Sequence, residues 1–305
     1  MWDRNHFLSI GDLTTDDITR MVQKAIDLKK AHHSGDLKPV LQGKAMAMIF
    51  RKPSLRTRMS FEMAMVGLGG HALYVSDEEI KLGRREAVCD IARVMSRYVD
   101  IMMIRTFDQS EVEDLARFAE VPVINGLTDL YHPCQVLGDV MTVVEKKGRI
   151  EGLKVAFLGD GNNVANSWIN AAAKLNFTLV LGMAKGYEPD GEVMERAKKD
   201  GADVEIVYDA AQAARDADVV YTDVWASMGQ ESEKQKKERA MEHLQINEHL
   251  LGMARPDAIV MHCLPAHRGK EITDGVMDGG QSAVYDEAEN RMHIQRAITL
   301  ELLKK

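Results

Sequence analysis

Cysteine is scarce in this chain of 305 residues. Cys89, Cys134 and Cys263 are odd in number, widely spaced and never in a CxxC pair. A disulfide framework and a structural zinc site are therefore not expected, and a reducing, cytoplasmic setting is. Long apolar runs are missing too. No stretch reaches the eighteen or so residues that a membrane-spanning helix needs. The opening Met1-Trp2-Asp3-Arg4-Asn5-His6 has neither a signal-peptide pattern nor an Arg/Ser-rich transit pattern. Basic residues are outnumbered, 39 Lys and Arg against 47 Asp and Glu, for a net charge of −8. A nucleic-acid binder normally shows a basic excess, so no nucleic-acid partner is expected. Seven Pro and 23 Gly without a period of three exclude a collagen-like chain.

What remains is the composition of a folded protein, with 45% hydrophobic and 28% charged residues. Enough apolar side chain is present to offset the entropy of ordering. The 19 Met read as core gap-fillers. The length suggests two domains.

Short apolar runs recur along the chain: residues 45–50, 101–104, 121–124, 155–158, 179–181, 204–207, 219–221 and 259–261. Such runs read as buried strands. Helical patterns lie between them, over 87–98 and 192–200, with capping boxes expected at Thr14/Asp17 and Ser110/Glu113. A long helix is expected from Pro133 to the stop signal at Gly148. Strand–helix alternation predicts an α/β protein with parallel sheets flanked by helices. The polar stretch 145–152 predicts a boundary, giving lobes of 1–148 and 149–290, with a helix over 291–305 returning to the first lobe.

Five segments carry chemistry. Arg51-Lys52-Pro53-Ser54-Leu55-Arg56-Thr57-Arg58 ends a strand and opens a helix. Backbone N–H groups, hydroxyls and guanidinium forks at such a place suit an anion such as phosphate, although a solvated basic turn would look the same. His132-Pro133-Cys134-Gln135 puts His132 and Gln135 three apart at a helix start, able to donate to a carbonyl or oxyanion or simply to pack. Cys134 reads as a small buried filler. Gly159-Asp160-Gly161-Asn162-Asn163-Val164 resembles a dinucleotide turn but lacks the third Gly, leaving a polar-substrate site or an ordinary turn. Asp223, before Ser227-Met228-Gly229, could pair with a cationic amine, and Ser227 with a carboxylate; the charged run 231–239 that follows reads as a solvated helix or a lid. His262-Cys263-Leu264-Pro265-Ala266-His267 offers an activated thiolate or, with too few ligands, a metal pair.

Taken in order, Ser54-Leu55-Arg56-Thr57-Arg58, His132-Pro133-Cys134-Gln135, Asp223 with Ser227-Met228-Gly229, and His262-Cys263-Leu264-Pro265 resemble the aspartate/ornithine carbamoyltransferase family over essentially the whole chain. The resemblance implies two Rossmann-like lobes with the active site in the cleft between them. The first lobe would bind carbamoyl phosphate and the second ornithine. It implies carbamoyl transfer to the δ-amine of L-ornithine, giving L-citrulline and phosphate, in arginine biosynthesis or, reversed, its catabolism. It further implies a homotrimer or a multiple of one, and no cofactor or metal.

Residue by residue, the resemblance assigns Ser54, Leu55, Arg56, Thr57, Arg105, His132, Gln135, Cys263, Leu264 and Arg291 to carbamoyl phosphate. It assigns Asn163, Asp223, Ser227 and Met228 to ornithine, and Arg105, His132 and Cys263 to catalysis. An Asp at 223 suits a cationic amino acid and would repel a second carboxylate, which favours ornithine over aspartate.

Two departures stand out. Leu55 replaces a frequent Thr, and Glu78 sits where the family often has Gln in a loop that completes a neighbouring subunit's site, leaving Lys81 or Arg84 as that loop's cation. Putrescine or N-acetylornithine are alternative acceptors. An NAD-dependent oxidoreductase and a non-catalytic scaffold are alternative classes, the first opposed by the missing Gly and the second by the complete polar set.

Overall fold

The computed structural model describes residues 5–81, 86–226 and 234–303. They form two compact units, Met1–Met141 with Asn290–Lys305, and Thr142–Glu289. Each is built on a parallel sheet covered by helices.

The first unit holds β1 (Ala45–Phe50), β2 (His71–Ser76), β3 (Ile101–Arg105) and β4 (Val123–Leu127), in the order β2-β1-β3-β4. All pairings are parallel. The apolar runs at β1 and β3 are buried on both faces, as central parallel strands require. Ala47, Ile49, Met102, Ile104 and Val123 pack on one face with Val112 and Leu115. The Ile, Leu, Met and Val side chains among them contribute about 1.5–3 kcal/mol each on burial.

The strand β2 has no counterpart among the sequence expectations. His71-Ala72-Leu73-Tyr74-Val75-Ser76 is an edge strand, half exposed along its length, and so lacks the continuous apolar signature. β4 begins two residues later than expected. Pro122 has no N–H for a ladder, and only its carbonyl takes part, accepting from Met102 N at 2.9 Å.

The second unit holds β5 (Lys154–Gly159), β6 (Thr178–Met183), β7 (Val204–Val207), β8 (Val219–Thr222) and β9 (Ile259–His262), in the order β7-β6-β5-β8-β9, again all parallel. Trp168 packs edge-on against Tyr221 and Phe177 on one face. Leu158, Val180, Val220 and Val260 join Ala213, Met241 and Ile272 in a common core.

In both sheets the chain winds outward in two directions from a central pair, β1/β3 and β5/β8. Ligands in such sheets bind beyond the carboxyl ends of the strands at that switch point. The segments after Phe50, Arg105, Gly159 and Thr222 stand at those positions.

The helix Thr15–His33 opens on the expected box, with Asp17 N donating to Thr14 Oγ1 at 3.1 Å and Thr14 N to Asp17 Oδ2 at 3.2 Å. The box expected at Ser110 does not form. The helix Gln109–Phe118 starts earlier, with Asp108 at its N-cap. Its first turn is tied to β4, where Gln109 Oε1 accepts from Thr128 Oγ1 at 2.9 Å and Asn125 Nδ2 at 3.2 Å. The last helix, Val284–Leu302, begins seven residues before the expected 291, and within the first unit Glu301 pairs with Arg20 at 3.2 Å. No helix of the described residues is long and apolar enough to cross a membrane.

Candidate active site

In the first unit, β1 delivers the basic segment. Two of its cations are held by carboxylates. Arg51 pairs with Asp77 at 2.9 Å and with Glu111, and Lys52 pairs with Asp129 and lies 4.4 Å from the Phe107 ring. Arg58 reaches Glu62 at 3.6 Å and stacks over Tyr74. Arg56 is half-buried and makes no ion pair among the described residues.

Ser54 caps the helix Leu55–Gly67, its Oγ accepting from Thr57 N at 3.3 Å. Leu55 turns its side chain outward, so only its backbone N–H could face a ligand at the helix start.

Thr57 is buried, and two guanidinium groups converge on its hydroxyl. Arg291 Nη2 donates to Oγ1 at 3.0 Å and Arg105 Nη1 at 3.4 Å. One arginine ends β3 and the other sits on the last helix. Two guanidinium groups and a hydroxyl gathered at a helix start are the groups that hydrogen-bond a phosphate well.

His132 is buried just before the helix Pro133–Lys147. Burial, then the positive charges of Arg291 and Arg105, hold its imidazole well below the ordinary 6.5. It is thus a neutral donor rather than a cation. As pH falls through about 6.5 the unfolded chain takes up this proton before the folded one. Stability should therefore drop below that pH, by up to about 1.4 kcal/mol per unit from this group. Urea unfolding at pH 7 and pH 5 checks this: His132→Gln should show a shallower acid loss than the parent, and equal losses would contradict it.

Gln135, fully buried, donates from Nε2 to Asp139 Oδ1 at 2.8 Å. Cys134 is the filler the sequence suggested. Burial pushes its thiol up to about 12, and Sγ donates to Asn125 O at 3.4 Å.

In the second unit, Asp223 is buried directly after β8 and surrounded by donors. Oδ2 accepts from Asn162 Nδ2 at 2.7 Å; Oδ1 accepts from Val224 N at 2.7 Å and Cys263 Sγ at 2.9 Å. Asn162 also caps the helix Asn163–Leu175 through Val164 N and Ala165 N. It is Asn162, not Asn163, that the described contacts join to Asp223; Asn163 is half-buried at the first helical position.

Beside them Asp160 pairs with Lys237 at 2.5 Å. Burial pushes the Asp160 carboxyl up; Lys237 draws it down, and the Asp223 charge pushes it up further. Sequence reasoning missed this pair. Lys237 lies in the run expected to be solvated, yet it is buried against Asp160 and 5.5 Å from the Tyr187 ring. The turn at Gly161 serves packing: a Cβ there would collide with the backbone of Glu188 and Pro189. The close approach that a dinucleotide turn reserves for pyrophosphate is taken by the chain itself.

His262 is locked behind Cys263. Its Nδ1 accepts from Leu264 N at 2.9 Å, and Nε2 faces Glu271 Oε1 at 3.2 Å, which fixes the Nε2–H tautomer. Asp223, His262 and Cys263 bring ligand-type atoms within 4.8 Å of one another, but both His262 nitrogens are already engaged. Cys263 Sγ lies within hydrogen-bond reach of Asp223 Oδ1. Leu264 adopts the left-handed region, φ 58, and its N–H is held by His262. Ser227, Met228 and Arg84 lie outside the described residues. Glu78 and Lys81 are exposed.

Each unit of this α/β protein thus gathers polar groups at its switch point: Thr57 with Arg105 and Arg291 in the first, and the buried, donor-held Asp223 carboxylate in the second. Residues 5–145 match the carbamoyl-P binding domain of aspartate/ornithine carbamoyltransferases, and residues 151–302 match their Asp/Orn binding domain. The chain belongs to the aspartate/ornithine carbamoyltransferase family. It is 53% identical over 301 residues to an ornithine carbamoyltransferase of Syntrophus aciditrophicus, covering 98% of this chain and 99% of that one. It is 50% identical to an ornithine carbamoyltransferase of Pyrococcus abyssi, covering 97% and 95%. The solved ornithine carbamoyltransferase of Pyrococcus furiosus superposes with a TM-score of 0.94 at 49% identity, covering 97% and 96%.

Proposed function

We propose that this protein transfers the carbamoyl group of carbamoyl phosphate to the δ-amine of L-ornithine, giving L-citrulline and phosphate in arginine metabolism. The observation that carries the reading is the convergence of Arg105 and Arg291 on Thr57 beside a neutral His132. Relatives about 50% identical over nearly their whole length, named ornithine carbamoyltransferases, support the acceptor. In this reading residues 1–148 with 291–305 serve carbamoyl phosphate and residues 149–290 serve ornithine.

Ser54, the Leu55 backbone, Arg56, Thr57, Arg105 and Arg291 hold the phosphate. His132 and Gln135 hold the carbamoyl group, with Cys263 and Leu264 near the reacting amine. The lone pair of the neutral δ-amine attacks the carbamoyl carbon. The C–N bond forms, the C–O bond to phosphate breaks, and phosphate leaves with the electron pair and takes up the proton that the amine sheds. Arg105 and His132 stabilise the developing oxyanion, and the arginines stabilise charge gathering on phosphate. Holding two substrates in line supplies much of the acceleration.

A free δ-amine is protonated at neutral pH, with a pKa near the lysine value of about 10.4. The carboxylate of Asp223 therefore suits the amine that stays charged, the α-ammonium, with Asn163, Ser227 and Met228 completing the amino-acid site. The cationic side supplied by the arginines favours the neutral δ-amine. The protein works in the cytoplasm, where its three cysteines, none of them in a disulfide, stay reduced.

The assay is product formation from carbamoyl phosphate with ornithine, putrescine, N-acetylornithine and aspartate in parallel. Citrulline from ornithine alone is expected. Turnover of another amine at a similar rate would overturn the acceptor half.

A homotrimer, or a multiple of it, completes the proposal. The helix Leu55–Gly67 is apolar on two sides. Phe61, Ala64 and Met65 face the core, while Leu55, Met59, Met63 and Val66 remain 75%, 48%, 36% and 53% exposed. Next to it β2 is an open edge. A self-interface of this kind, repeated about a closed rotation, covers both. Met59→Glu with Val66→Glu should reduce the sedimenting mass from about three times 34.1 kDa to one. An unchanged mass would place the interface elsewhere.

A further inference from the structure

Gln135 and Asp139 stand one turn apart on the helix Pro133–Lys147, both fully buried. Gln135 Nε2 donates to Asp139 Oδ1 at 2.8 Å. A primary amide has a donor end and an acceptor end of nearly equal shape, so its environment must choose which end points where. A carboxylate only accepts, and Asp139 therefore claims the NH2 end. The Oε1 end, an acceptor, is then directed away from Asp139.

The helix bearing this pair is itself held close. At Gly138, between the two residues, a Cβ would sit 3.5 Å from Ile294 Cγ2 and 3.6 Å from Arg291 Cα. The pair is thus fixed on the same packed helices that carry Arg291.

We propose that Asp139 is a positioning residue that sets the sense of the Gln135 amide, so that its Oε1 accepts from the NH2 of the carbamoyl group. The inference rests on the placement of that group at His132 and Gln135 argued above. Its consequence is selectivity. A carbamoyl group offers an N–H donor where an acetyl group offers a methyl. An acceptor held there favours carbamoyl phosphate and leaves acetyl phosphate with an unsatisfied partner. A Gln free to reverse would present its NH2 end part of the time and lose the distinction.

The test is the ratio between the inhibition constant of acetyl phosphate and the KM of carbamoyl phosphate, measured at saturating ornithine. In Asp139→Asn, Nδ2 can donate to the Gln135 carbonyl and the amide can reverse. The ratio should fall about tenfold, through weaker carbamoyl phosphate rather than through a common loss. Gln135→Met should lower the ratio by a similar factor. The double variant should lower it no further, because the effect of Asp139 runs through Gln135. Asp139→Thr, which also can donate, carries the same expectation if the Asn variant does not fold.

An unchanged ratio in the Asp139 variants, an equal weakening of both phosphates, or additive losses in the double variant would overturn the inference. A parent protein that turns over carbamoyl phosphate yet shows no preference over acetyl phosphate would overturn it as well. A parent that uses neither phosphate would instead overturn the functional reading beneath it.

Discussion

Replacing Arg105 with alanine is expected to lower kcat/KM for carbamoyl phosphate by roughly a thousandfold while the protein stays folded. The guanidinium ends β3 and reaches the buried Thr57 hydroxyl from a strand held in the middle of its sheet. It is therefore placed before substrate arrives and costs no reorganisation when charge develops. Removing one such preorganised donor typically costs about a hundred- to a thousandfold. In the proposed site Arg105 is also a cationic donor to the leaving phosphate, which belongs at the upper end of that range. The fold should survive, because the central strands pair through backbone. Arg58→Ala is the matched control: its partners are Glu62 and the Tyr74 ring, so carbamoyl-phosphate kinetics should hardly change. Steady-state kinetics of both variants, with circular dichroism to confirm folding, decide the matter. Near-normal kcat/KM in Arg105→Ala would remove it from the site.

The second large effect belongs to Asp223. Asp223→Asn should raise KM for ornithine by roughly a hundredfold or more, with KM for carbamoyl phosphate within a few-fold of the parent. The substitution keeps shape but removes the charge proposed to pair with the substrate's ammonium, an interaction of about 3 kcal/mol when partly desolvated. It also turns one acceptor into a donor in a place where Asn162 Nδ2, Val224 N–H and Cys263 Sγ all donate. Two donors would then face one another, which adds to the loss. A secondary effect has a definite sign. The Asp223 charge pushes the Asp160 carboxyl up, so removing it should bring Asp160 down and make its pairing with Lys237 easier. Equal losses for the two substrates would contradict the assignment of Asp223 to the amino acid.

Much of this architecture can be read in the sequence because central parallel strands announce themselves. Residues 45–50 and 155–158 are uninterrupted apolar runs, and each is followed at once by turn chemistry. The edge strand at His71–Ser76 is not legible, since one side of it faces away from the core and its residues need not be apolar. The anion segment could be found from Ser54, Arg56 and Thr57, but not its internal accounting. Nothing in the spacing says that Arg51 and Lys52 are taken up by Asp77, Glu111 and Asp129, which lie 26 to 77 positions away.

Lys237 shows the same limit more sharply. It stands among Lys234, Gln235, Lys236, Glu238 and Arg239, and only the fold picks out the one that is buried. Asn162 and Asn163 are adjacent and chemically identical, and only the start of a helix separates the cap from the first turn. Asp139 stands one turn after Gln135, a spacing visible in the sequence, but a helical Asp four residues on is usually a surface residue until burial says otherwise.

The most direct test of the account follows the carbamoyl carbon itself. Carbamoyl phosphate labelled with carbon-13 is mixed with ornithine and the protein, and carbon and phosphorus NMR are read together. The label should move to the ureido carbon of citrulline as one inorganic phosphate appears per citrulline. Release of phosphate with the label going to carbonate, or transfer of the label to no amine, would contradict it.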